Sequence, residues 1–209
     1  MTLGEKLTAI GEKMPEIYDR GKDWVFQHMT QPSGLFYKAA FPEGSSLRVS
    51  MPNCKGPLTE MFRLVTGLQI LELELPDAAY KANHMFYGSA IRELYLPNGL
   101  QATDFSNFAS CNYVLEAVYG VIDLTESSSN NSCFANCDAL REVRFAPGSI
   151  HKSLSFKHSA QLSAATVTSV LEGLAPVETT QTLALHNTVR ATLTDAQLAS
   201  ITAKNWQLA

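Results

Sequence analysis

Phe134-Ala135-Asn136-Cys137-Asp138-Ala139-Leu140-Arg141-Glu142-Val143-Arg144-Phe145 is a phrase that this chain uses more than once. An upstream copy is Phe86-Tyr87-Gly88-Ser89-Ala90-Ile91-Arg92-Glu93-Leu94-Tyr95-Leu96-Pro97. Between the two, Phe108-Ala109-Ser110-Cys111 leads to Leu115-Glu116-Ala117-Val118 and lacks the closing proline. An earlier stretch keeps the strand end, Leu73-Glu74-Leu75-Pro76, with Phe62 upstream of it. With Leu73, Leu94, Val118 and Val143 taken as matching residues, every step falls within the roughly 20–29 residues of a leucine-rich repeat.

A unit of that length cannot cover its own hydrophobic edge, and stacking on a neighbour buries it. The period therefore predicts an α/β leucine-rich-repeat solenoid with parallel strands stacked in one sheet. Alternation along each strand fixes the two faces. Leu73, Leu75, Leu94, Leu96, Val143 and Phe145 point inward, and Phe86, Phe108 and Phe134 form a second internal file. Glu72, Glu74, Glu93, Tyr95, Glu142 and Arg144 face out. Alignment on the strand ends gives one outward ladder of Ser50, Glu74, Tyr95, Tyr119, Arg144 and Ser155. Arg48, Glu72, Glu93, Ala117 and Glu142 make the ladder beside it. The candidate binding face is thus Glu72, Glu74, Glu93, Tyr95, Tyr119, Glu142 and Arg144, centred on Tyr95 and Tyr119. Tyrosine suits a contact surface because it offers a large amphipathic area at low entropic cost. The acidic flanks favour a neutral or basic partner, a protein or a glycan.

Outward from the block, Leu47-Arg48-Val49-Ser50-Met51-Pro52 alternates in the same way and reads as an extra strand. Three regions follow: an N-terminal helix and irregular capping segment at 1–46, the repeats at 47–149, and strand-helix capping units at 150–209. Leu3, Leu7, Ile10, Met14 and Ile17 form a narrow apolar seam, and Pro15 should end that helix. The seam either covers the first repeat or acts as a handle for self-association. In the last region Ser153 to Phe156, Thr182 to Leu185 and Asn205 to Leu208 read as strands. Ser163 opens one helix, and the Thr194-to-Gln197 capping box opens another.

Charged residues are 17% of the chain, and the formal net charge is −4. Nucleic-acid binding, which needs a basic surface, is not expected. No apolar run is long enough to cross a membrane, and the first residues lack an apolar signal core. Expected locations are therefore intracellular or on a phage particle. Cys111 and Cys137 both lie three residues after a Phe, which predicts two reduced thiols buried one repeat apart. No phosphate loop, paired-histidine helix or nucleophile elbow is present. The five histidines are scattered, and neither metal nor cofactor is expected. An alternative to a binding scaffold is a carbohydrate-active enzyme using the acidic strip, for which Glu72 and Glu74 are the best carboxylate pair.

The phrase at 134–145 resembles the BspA-like leucine-rich-repeat family of bacteria. Two further stretches, Glu5 to Lys22 and Ser153 to Trp206, are similar to uncharacterised prophage-encoded leucine-rich-repeat proteins of gut Firmicutes. The resemblance spans most of the chain outside about 23–60. It implies a non-enzymatic binding or structural scaffold, prophage-associated or of bacterial surface type, and it carries no catalytic residues.

Overall fold

The computed structural model describes residues 24–209. The expected N-terminal helix and its seam lie outside the described residues. Among the described residues, eight strands form one sheet: β1 (Trp24–Val25), β2 (Ala40–Ser50), β3 (Thr66–Glu74), β4 (Ala79–Lys81), β5 (Glu93–Tyr95), β6 (Leu100–Asp104), β7 (Ala117–Asp123) and β8 (Glu142–Phe145). Every pairing in it is parallel. The path runs β1-β2-β3-β5-β7-β6-β4, and β8 also pairs with β7. The strands do not all share one sheet as expected: β9 (Leu154–Phe156), β10 (Gln181–Leu185) and β11 (Trp206–Leu208) form a separate sheet of three parallel strands, because a helix and not β9 covers the free edge of β8. The same part of the chain carries the helices α1 (Ala164–Gly173), α2 (Asn187–Arg190) and α3 (Asp195–Ala203). The fold is α/β, with mostly parallel strands and few helices.

Hydrophobic side chains fix the register. Leu47, Leu71, Leu94 and Val118 pair in succession and are all buried. Between the strands lie compact bends, each with two left-handed residues four apart. These pairs are Gly34 and Lys38, Glu60 and Leu64, His84 and Gly88, Asn107 and Cys111, and Ser132 and Asn136. Each bend hands hydrogen bonds to the next. Phe36 N–H reaches Met61 O, Phe62 N–H reaches Met85 O, Phe86 N–H reaches Phe108 O, and Ala109 N–H reaches Cys133 O. Phe36, Phe62 and Phe86 therefore stack, with centroids 4.7 and 5.5 Å apart, and Phe134 stacks on Phe156 at 5.4 Å.

The alignment of the repeated phrases needs two corrections. Leu73 does not sit opposite Leu94. Leu71 does, and Leu73 faces Val49. Aligning the phrases on their prolines misplaces this strand by two positions, because proline marks where pairing stops and contributes no ladder donor. A slip of two keeps every side chain on its own face, so Leu73 is still buried. Phe86, Phe108 and Phe134 do form the expected internal file, all buried and with successive ring centroids 5.1 and 6.1 Å apart, but Phe108 does not hold the bend position of Phe86 and Phe134. The bend places Ala109 there, and Phe108 falls where the other bends have Leu35, Met61, Met85 and Cys133. Phe105 and Phe108 stack at 4.3 Å and fill the space that Ala109 leaves.

β2 slips against β3 near Ser45, and β7 departs from regularity as well. Ala117 pairs with Glu142, but Val121 pairs with Arg144, so β7 runs two positions ahead of β8 across this stretch. Gly120 sits in that excursion with φ +119°, and a Cβ on it would lie 2.3 Å from Leu96 O. No other residue type permits that approach. Beyond the excursion β7 turns to pair with β6.

The outer edge of β8 is sealed by α1 in place of a strand. Val143 N–H donates to Thr166 Oγ1 at 3.1 Å, and Phe145 N–H donates to Ser169 Oγ at 2.9 Å. Ser163 caps the helix, accepting from Thr166 N–H, and its own N–H reaches Arg141 O. A row of unpaired strand donors, which would invite another chain, is thereby satisfied by helix hydroxyls. The Thr194–Gln197 capping box forms with both of its bonds and opens α3.

Candidate binding face

The outward residues of β2, β3, β5 and β7 fall into files set by the pairing. One file is Arg48, Glu72, Tyr95 and Tyr119. The next is Ser46, Ile70, Glu93, Ala117 and Glu142. Ser50 and Glu74 begin a third. The slip by two thus moves Glu72, not Glu74, beside Tyr95. The excursion in β7 sends Arg144 opposite Val121, away from the tyrosine pair. Glu93, Tyr95, Tyr119 and Glu142 do come together on one face. Glu72 adjoins them, while Glu74 and Arg144 lie at its margins.

At the centre, the Tyr95 and Tyr119 rings stack with centroids 4.6 Å apart at 30°. Tyr119 is 42% exposed. Tyr95 Oη donates to Glu93 Oε2 at 2.7 Å. That bond to a carboxylate, with desolvation added, pushes the Tyr95 phenol up to about 12. The phenol stays neutral and goes on donating its proton to Glu93 across the physiological range.

Part of the charge on this face is settled in pairs. Arg48 Nε lies 3.0 Å from Glu72 Oε1 and its Nη2 lies 3.5 Å from Glu74 Oε2. Glu116 sits between two arginines, bound by Arg92 and by Arg141. The Arg92 hydrogen bond, helped by the charge of both arginines, outweighs desolvation and holds the Glu116 carboxyl below the usual range. Arg92, Glu116 and Arg141 were absent from the face expected from sequence. Their positions at the strand mouths carry no period-two signal. Only their near-equal spacing along the chain, one repeat step each, hints that they stack.

A notch of about 160 Å³ opens beside the tyrosines, lined by Glu93, Glu116, Ala117, Tyr119, Arg141 and Glu142. The buried Ala117 forms its floor.

A second surface lies on the bends, where sequence reading placed nothing. Arg63 packs its guanidinium between the Tyr37 and Tyr87 rings, 5.6 and 5.2 Å from their centroids. Cys111 lies beyond Tyr87. It was expected to be buried like Cys137, and it is not: its left-handed φ of +62° puts it on the corner of the bend, half-buried. Cys54, Cys133 and Cys137 are buried.

Among the described residues no helix is long and apolar enough to cross a membrane, and no three His, Cys, Asp or Glu side chains gather as metal ligands would. Comparison with protein-family models, curated proteins and solved structures finds no match to this chain.

Proposed function

We propose that the chain is a leucine-rich-repeat solenoid of BspA-like type, and that it works as a non-enzymatic scaffold whose outward strand face binds a protein or glycan partner. The single observation that carries this reading is the stacked Tyr95–Tyr119 pair, standing on adjacent in-register strands with Tyr119 open to solvent. The near-constant step from Leu47 to Leu71, Leu94 and Val118 supports the repeat. A rigid sheet pre-orders the aromatic pair, so binding loses little side-chain entropy. The resemblance to prophage-encoded and surface-type proteins gives the setting, a phage particle or a bacterial envelope. The carbohydrate-active alternative has less support. Its carboxylate pair, Glu72 and Glu74, shares one guanidinium, and Glu116 is held by two. Such carboxylates serve as charge partners more readily than as acid and base.

The test is capture from bacterial envelope and phage lysate, with a glycan panel alongside. A Tyr95→Ala, Tyr119→Ala double variant with an unchanged melting curve should lose the captured partner. Arg190→Ala, on α2 far along the chain, should retain it. Equal recovery by both variants would move the binding face away from these strands.

A further inference from the structure

Ala117 interrupts an outward file. Ile70, Glu93, Ala117 and Glu142 occupy successive strands at one level, and the alanine methyl reaches less far than its neighbours. The result is the notch of about 160 Å³. Glu93 and Glu142 stand on either side of it, each one strand away, about 4.8 Å at the backbone. Tyr119 rises from the next outward position of the same strand, and Glu116 with Arg141 closes the far end.

The carboxylates around the notch are unequally satisfied. Glu116 is engaged by Arg92 and Arg141. Glu93 uses Oε2 to accept from Tyr95. Glu142 Oε2 lies 3.3 Å from Thr166 Oγ1, but the single proton of that hydroxyl has a closer acceptor in Arg141 O at 2.9 Å. Among the described residues, neither Glu93 nor Glu142 has a cation within ion-pair distance. A carboxylate offers about four lone-pair positions, so both have capacity left, and it faces a cavity with an aromatic wall.

A group that fits must be compact, cationic and able to donate in several directions from an apolar stem. An alkylammonium meets those terms: three rotatable donors, with methylenes that lie along a ring. Its charge is drawn to the face of tyrosine. A guanidinium suits one carboxylate in a flat bidentate pairing, and here the acceptors stand on opposite walls. We infer that the notch over Ala117 is a subsite for a lysine side chain of a partner protein, with Glu93 and Glu142 accepting from the ammonium and Tyr119 covering the stem. The inference rests on the strand face being the binding surface, and it names the chemistry that enters there.

The probe is Nα-acetyl-lysine methylamide, titrated into the ¹⁵N-labelled full chain at low salt. Saturable shifts are expected at the amides of Glu93, Ala117, Tyr119 and Glu142. The Nε-acetylated probe keeps the stem and loses the charge, and should bind at least tenfold more weakly. Ala117→Leu fills the notch and leaves the carboxylates. Glu93→Gln with Glu142→Gln removes the charge and leaves the shape. Each should weaken the response at least tenfold in a chain whose melting curve is unchanged. If Ala117→Leu does not fold, the double glutamine variant decides. An equal response to the acetylated probe, or an unaltered titration in either folded variant, overturns the subsite. A parent chain that ignores the lysine probe yet still captures a partner through Tyr95 and Tyr119 overturns the subsite alone. A chain that binds the probe while the double tyrosine variant captures as well as the parent overturns the wider face and keeps the subsite.

Discussion

Phe108-Ala109-Ser110-Cys111 and Phe134-Ala135-Asn136-Cys137 are nearly the same word, yet the fold spells them one position apart. In the second copy Phe134 lies midway between the left-handed Ser132 and Asn136, buried, and Cys137 follows into the core. Its thiol donates to Ala109 O at 3.1 Å. In the first copy the left-handed residues are Asn107 and Cys111, so Ala109 takes the phenylalanine position and Asn112 the cysteine position. What the repeats share is a backbone bend and a filled volume, rather than a word. Asn107 and Asn136 enter the left-handed region with less strain than most residues. The missing ring at Ala109 is made good by Phe105 and Phe108.

The largest effect should come from removing the ring that has no understudy. Phe134 is fully buried and stacks on Phe156. Phe134→Ala should cost about 3–5 kcal/mol through lost burial and a residual cavity, read as a fall in the denaturation midpoint with an unchanged slope. The converse variant sharpens the contrast. Ala109→Phe gives the odd bend the residue that its neighbours have. If Phe105 and Phe108 already occupy the space, it should destabilise by about 1–3 kcal/mol through overpacking. A gain in stability would mean that the bends are equivalent and that Phe105 and Phe108 leave the space at Ala109 unfilled.

That pair of variants also shows what was legible in the sequence. Inside and outside were readable, because a period of two survives any slip by two: Leu73, Leu94, Val118 and Val143 are all buried, as expected. Pairing register was not, because Leu-Pro endings are local stop signals and say nothing of what lies across the ladder. The β7 excursion at Gly120 is invisible without its partner strand, since only the carbonyl of Leu96 explains the glycine. The tyrosine pair was legible because Tyr95 and Tyr119 lie one repeat step apart with no excursion between them. The arginines that settle the charge of the face were not, since nothing in Arg92 or Arg141 alone marks Glu116 as their common partner.

Asn112 offers a smaller, second break of the comparison. It is fully buried where Cys137 stands in the next copy. Its amide donates to Ser89 Oγ and to Ile91 O, both at 3.0 Å, while its own Oδ1 has no partner. Asn112→Cys writes the later copy into the earlier one. It strands Ile91 O, a buried acceptor, but also removes the unpaired oxygen, and the Ser89 hydroxyl is left without its donor. The expected loss is about 1–2 kcal/mol, at the low end for an orphaned buried group. A thermal melt beside Phe134→Ala should rank it clearly second.

The least costly test changes no residue and reads the two cysteines directly. Burial pushes the Cys111 thiol up, but hydrogen bonds with Asn136, Ser110, Tyr87 and Tyr113 outweigh it and hold the thiol below its ordinary value. Asn136 Nδ2 is 3.6 Å from its sulfur and Tyr87 Oη 3.8 Å. Burial pushes the Cys137 thiol up to about 12, and Cys133 is raised for the same reason. The thiolate is the nucleophile. Timed alkylation of the native chain should therefore label Cys111 first, and alone, with Cys54, Cys133 and Cys137 reacting only on unfolding. The Cys111 rate should fall off at lower pH than that of a free cysteine in a short peptide. Asn136→Ala removes a donor and should return the profile towards that of the peptide. For Cys137 the sign is opposite. Its folded thiol stays protonated where the unfolded one ionises, so that contribution to stability is complete below the ordinary thiol range and is lost as pH rises towards about 12. Equal labelling of Cys111 and Cys137 would restore the equivalence that their spelling suggests, and would place Cys111, rather than Asn112, in the core.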